Sequence, residues 1–149
     1  MSVGEYCNRE VVVVERTEPV SEAVQLMRKH HVGSVVVVDK RGDNAKPIGI
    51  LTDRDIVIEV LAEDVEPAKV NIGDIMSAEP ATVGESVTLL EALEVMRKHG
   101  VRRLPVVSDK GDLVGVLAVD DILELLGEQI NAVVALIGAE QDHERNQRS

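Results

Sequence analysis

Glu22–His30 reads EAVQLMRKH, and Glu91–His99 reads EALEVMRKH. Six of the nine positions are identical, and two of the other three exchange one apolar residue for another. The match continues downstream. His31–Asp39 (HVGSVVVVD) aligns with Gly100–Ser108 (GVRRLPVVS), and Gly49–Ile56 (GILTDRDI) aligns with Gly115–Ile122 (GVLAVDDI). Between these blocks the first copy is longer, in the polar stretch Asp39–Pro47 (DKRGDNAKP), which has the chemistry of a loop. An internal repeat of this kind settles the architecture before any single residue does.

Each copy has the same layout. A short strand, Val11–Val14 or Ala81–Val83, precedes an amphipathic helix. Val20, Ala23, Val24 and Met27 lie at helical spacing in the first, and Leu89, Ala92, Leu93 and Met96 in the second. Thr88 with Glu91 reads as a capping box, and Lys98, His99 and Gly100 supply cations and then glycine at the helix end. Two strands follow, Val35–Val38 with Ile48–Leu51, and Leu104–Val107 with Leu113–Leu117. A second helix starts near Asp53 and near Asp120. The expected fold is therefore α/β (α+β): two β-α-β-β-α repeats, residues 7–61 and 74–127, packed against each other because one such unit is too small and one-sided to stand alone. Residues 62–73 read as an acidic connector. Residues 128–149 read as an extension of the last helix, striped by Leu126, Ile130, Val133 and Ile137, with a polar tail after Gly138 that is expected to fray.

Composition narrows the function. The net charge of −11 repels polyanions and argues against nucleic acid as the main partner. With Cys7 the only cysteine, neither an intramolecular disulfide nor a multi-cysteine metal site is possible, and Cys7 is expected to pack as a small apolar residue. The four histidines show no ligand spacing, so no metal is expected. No nucleophile–base pair and no glycine-rich phosphate loop stands out, so no catalytic residue is assigned. No signal peptide is visible, and the apolar runs fall short of the roughly 20 residues that span a bilayer. The expectation is a cytoplasmic protein without a membrane partner.

The paired pattern, a helix ending in MRKH, then HGVRRLPVV, then glycine, hydrophobic residues and aspartate, resembles a tandem cystathionine-β-synthase-type (CBS) domain pair, or Bateman module. Asp74–Ser77 (DIMS) before the second copy fits the same resemblance, which covers roughly residues 7–127. It implies pseudo-two-fold symmetry and clefts for an adenosyl ligand: AMP, ADP, ATP, an NAD-type dinucleotide or S-adenosylmethionine. No cofactor is required; the nucleotide acts as a regulatory ligand. The resemblance also implies a homodimer that regulates a protein partner.

Carried over residue by residue, the resemblance gives Asp55 and Asp121 the ribose hydroxyls, since an ionised carboxylate only accepts hydrogen bonds. Thr52, at a helix start with free N–H groups, and Arg54 beside it face a phosphate. Thr52 and Asp55 also read as a helix cap, and the two roles are compatible. In the second copy Ala118 replaces the hydroxyl and Asp120 replaces the cation, so that half is expected to bind phosphate more weakly. Arg102 and Arg103 are the remaining phosphate candidates, where the first copy has Gly33 and Ser34. The leading reading is a nucleotide-sensing regulatory module. The alternative is a structural dimerisation module whose clefts bind nothing physiological.

Overall fold

The computed structural model describes residues 1–148; Ser149, the last residue of the polar tail, lies outside them. The order is α1 (Val3–Tyr6), β1 (Val13–Glu15), α2 (Val20–His30), β2 (Ser34–Arg41), β3 (Asn44–Thr52) and α3 (Asp53–Ile56), which runs on as a π-helical turn, Val57–Leu61. After a 3₁₀ turn at Pro67–Lys69 come α4 (Ile72–Ile75), β4 (Ser77–Ala78), β5 (Val83–Gly84), α5 (Leu89–His99), β6 (Arg103–Val107), β7 (Leu113–Ala118) and α6 (Val119–Arg148).

The repeat is legible in the sheets. β1-β2-β3-β4 form one and β5-β6-β7 the other. In each, a helix carries the chain between two parallel strands, and an antiparallel strand follows. Both antiparallel ladders break register at the same aligned point, Val37/Val38 and Val106/Val107. Strand alternation sorts the side chains. Val35, Val37 and Leu51 join Ala23 and Met27 in the first core, while Leu104, Val106 and Leu117 join Ala92 and Met96 in the second. Val36, buried but in neither core, points the other way, toward the second repeat.

Three local expectations differ from the structure. The first strands are Val13–Glu15 and Val83–Gly84, shifted toward the C-terminus, and Val11 and Val12 run along the space between the repeats. Asp39–Pro47 is not a loop: β2 and β3 continue through it, Arg41 pairs with Asn44, and only Gly42 and Asp43 turn. Gly42, at φ +65, takes the first central position of that two-residue turn, where a positive φ is required. The hairpin tip stands clear of the core, so its strands need backbone hydrogen bonds and no apolar side chains. Thr88 forms only the hydroxyl half of its cap, Oγ1 accepting from Glu91 N at 3.2 Å. The chain's N-terminus lies alongside this cap, with Leu89 N donating to Met1 O.

That contact belongs to an exchange between the repeats. Val3 is fully buried in the second core, and Ile72 in the first. Val3 N and Gly4 N donate to Val87 O and Glu85 O; Ile72 N and Gly73 N donate to Glu18 O and Arg16 O. Of the connector, the part from Val70 onward is packed: Val70 O accepts from Val20 N, and β4 extends the first sheet. Each repeat is thus completed by the segment that precedes the other in sequence. The glycines make the close docking possible, since a Cβ at Gly4 would stand 2.9 Å from Glu85 O and one at Gly73 3.1 Å from Arg16 O.

α6 is 30 residues long, about 45 Å at a rise of ~1.5 Å per residue. Ile122 and Leu125 anchor it in the second core. Beyond them Leu126, Ile130, Val133 and Ile137 are exposed, as are Val134 and Leu136. The tail that was expected to fray is helical to Arg148, as its run of good helix formers permits. Helical continuity also changes the membrane arithmetic. Val119–Gln147 is long and apolar enough to cross a bilayer by length and composition, with an 18-residue window of mean hydropathy 1.5. The short runs seen in the sequence join into one helix.

Candidate functional site

The loop from each second strand into the following helix is built the same way twice. Asp53 N donates to Gly33 O at 2.9 Å, and Val119 N to Arg102 O at 2.8 Å. This places residues 33 and 102 beside the two helix starts. In the first repeat Thr52 and Asp55 make a full capping box: Asp55 N donates to Thr52 Oγ1 at 3.1 Å, and Thr52 N to Asp55 Oδ2 at 3.0 Å. In the second, Ala118 N donates to Asp121 Oδ2 at 3.2 Å, and no hydroxyl answers it. Both aspartates are thereby fixed through one carboxylate oxygen.

The two helix starts differ in what they leave open. Arg54 N donates to Asp53 Oδ1 at 2.8 Å, so both it and Asp55 N already have side-chain acceptors. The free N–H groups expected beside Thr52 are therefore engaged. Val119 and Ala118 supply no such oxygen to the start of α6. Gly33 is tied to the same arrangement, because a Cβ there would stand 3.1 Å from Asp53 Oδ2.

Between the repeats lies a cleft of about 830 Å³, within the range of sites for small organic ligands. Thr52 and Arg54 line it from the first repeat, and Arg102, Arg103 and Asp121 from the second. Asp55 alone of the singled-out residues does not, standing behind Thr52 as part of the cap. The floor is apolar: Val36 and Ile50, paired on the first sheet, together with Pro105 and Val116, paired on the second. Strand alternation in the sequence could have identified this floor. Asn8, Glu10, Val11 and Val12 close one side, which no local signal foretold. They arrive there because Asn8 exchanges backbone hydrogen bonds with Val116, a pairing distant in sequence.

Charge in the cleft is mixed. Arg54, Arg102 and Arg103 share it with Glu10, Asp53, Asp120 and Asp121. Arg102 Nη2 stands 3.2 Å from Asp120 Oδ1, so the carboxylate that replaces the cation of Arg54 is matched by an arginine. Outside the cleft, Cys7 is half-buried against the second core, where a Cβ on Gly115 would come 2.7 Å from its Sγ. Burial pushes its thiol above the ordinary value, against the opposing charge of Arg9. Among the described residues, no group of three or more His, Cys, Asp or Glu side chains could hold a metal ion.

Two sheets related by a repeated β-α-β-β-α plan, joined across one cleft, define a tandem-repeat α/β module. The CBS domain model matches residues 3–62 and 72–128, and the chain belongs to that family as a tandem CBS pair. It is 42% identical over 125 residues to an uncharacterized protein of Methanopyrus kandleri, covering 84% of this chain and 62% of that one. A crystal structure of Hypoxic Response Protein I with two coordinated zinc ions matches at TM-score 0.73 and 33% identity, covering 83% of this chain and 98% of that one. The CBS domain pair of protein MJ0100, in complex with 5′-methylthioadenosine and S-adenosyl-L-methionine, matches at TM-score 0.74 and 26% identity, covering 87% and 98%.

Proposed function

We propose that this chain is a cytoplasmic regulatory module, not an enzyme, that takes an adenosyl compound between its repeats and passes its occupancy to a partner protein. The observation that carries this reading is the cleft itself, where two equivalent helix starts, the second bringing its immobilised Asp121 into the lining, flank an apolar floor that Arg54, Arg102 and Arg103 share. The floor suits a purine ring. Asp121 offers its second carboxylate oxygen to ribose hydroxyls, with Asp55 the equivalent residue set further back. Arg54, Arg102 and Arg103 suit phosphate, a geometry guanidinium matches well. The methylthioadenosine and S-adenosylmethionine complex of the similar MJ0100 pair supports this ligand class. Regulation follows by linkage: a ligand that prefers one arrangement of the repeats shifts the population and the surface offered to the partner.

A thermal-shift panel of AMP, ADP, ATP, NAD, NADH and S-adenosylmethionine tests the reading. Ligand at 100 times its dissociation constant adds about 2.7 kcal/mol. A panel without any shift favours the second reading, a dimerisation module, which the exposed stripe Leu126, Ile130, Val133 and Ile137 supports. That stripe also favours a homodimer, since apolar faces of this kind need cover and two-fold pairing is the commonest way to give it.

A further inference from the structure

We infer that Asp120 sets how much phosphate the cleft accepts: by engaging Arg102 it limits the phosphate-binding set to Arg54 and Arg103, and so selects an adenosine monophosphate over di- and triphosphates. The inference rests on the adenosyl reading of the cleft. Four carboxylates line the cleft against three guanidiniums, so it holds no surplus of positive charge. One of the three is committed, as Arg102 Nη2 lies 3.2 Å from Asp120 Oδ1. Arg54 and Arg103 form no ion pair among the described residues.

The commitment is a consequence of how the repeats diverged. At the aligned place in the first repeat, Gly33 has no side chain, so Arg54 faces no counterpart of the Arg102–Asp120 pair. Asp53, its acidic neighbour, bonds back to the N–H of Arg54 and is held on its own helix start. Asp120 sits in the first turn of α6, at the positive end of the helix dipole. Its carboxylate thus meets positive charge from the helix start and from Arg102. A first phosphate, carrying about −1.5 to −2 at neutral pH, is matched by Arg54 and Arg103. Each further phosphate adds negative charge beside Asp120 without adding a cation. The pair is exposed and contributes little to folding. Its effect falls on a ligand that must compete for the same guanidinium.

Calorimetric titration of adenosine, AMP, ADP and ATP into the full chain tests this, using wild type, Asp120→Asn, Arg102→Ala and the double variant. Wild type is expected to gain affinity from adenosine to AMP and to lose it from AMP to ADP and ATP. Asp120→Asn should raise the ATP-to-AMP affinity ratio about two- to five-fold, the range an exposed charge pair is worth. The gain should vanish when Arg102→Ala is added, because the residue acts through that arginine. An unchanged ratio in Asp120→Asn, a gain that survives loss of Arg102, or a wild type that binds ATP as tightly as AMP overturns the inference and leaves the adenosyl reading standing. Failure of all four compounds to bind wild type overturns the inference, and the adenosyl reading falls with it only when NAD, NADH and S-adenosylmethionine give no thermal shift either.

Discussion

Asp55 and Asp121 occupy the same place in the two repeats, yet their substitution by alanine should have different consequences. Asp121 lines the cleft and spends one carboxylate oxygen on Ala118 N, leaving the other for a ligand. A charge-assisted hydrogen bond of that kind is worth about 1.5–3 kcal/mol, which is roughly ten- to more than a hundred-fold in affinity. Asp55 stands outside the lining and closes the box with Thr52 through two hydrogen bonds of 3.0 and 3.1 Å. Losing such a cap costs about 1 kcal/mol, a fall in melting temperature of about 2–4 °C for a chain of this size. Asp121→Ala should therefore weaken binding at modest cost to stability, and Asp55→Ala should do the reverse. Calorimetric titration of AMP, paired with thermal unfolding without ligand, separates the two effects. If Asp55→Ala abolishes binding at an unchanged melting temperature, the division of labour drawn from the geometry is refuted.

Three other outcomes follow from the packing. Gly4→Ala and Gly73→Ala place a methyl against the carbonyl that accepts the glycine's own N–H, and each should lower stability by about 1–3 kcal/mol in urea unfolding. A helical glycine free of that contact would instead gain about 0.5–1 kcal/mol from alanine, so a stabilised variant would contradict the docking described. Ile130→Glu on the exposed stripe should convert the proposed dimer to a monomer in size-exclusion light scattering at micromolar concentration; a wild type that is already monomeric, or an unchanged dimer mass, would remove α6 as an interface. The raised Cys7 thiol stays protonated to higher pH than a free cysteine, so its alkylation should be slow at neutral pH and accelerate only as alkalinity passes the ordinary thiol range. A folded chain that alkylates at pH 7 as fast as the urea-unfolded one would show that Cys7 is not shielded.

The sequence by itself determined the repeat, the helices and most strand cores, because these rest on local periodicity and on residues within a turn or two of each other. Met27 with Ala23, and Met96 with Ala92, marked the buried helix faces, and the valine runs marked the central strands. The Thr52–Asp55 cap was legible for the same reason: its two hydrogen bonds span three residues. The exchange of first segments was present in the sequence as Val3-Gly4-Glu5 and Ile72-Gly73-Asp74, but three residues are too few to reveal a repeat. Only the tertiary structure put Val3 in the second core and Ile72 in the first, since burial of those side chains is settled by surfaces far away in the chain. It also decided that Asn8, Glu10, Val11 and Val12 would wall the cleft and that Asp121, rather than Asp55, would line it. The Arg102–Asp120 pair is of the same kind: the two residues are 18 apart, and nothing in their local sequence brings a guanidinium to a carboxylate until β6, β7 and α6 are packed together. Local sequence fixes what a segment can form, and long-range packing fixes which charges and surfaces then meet.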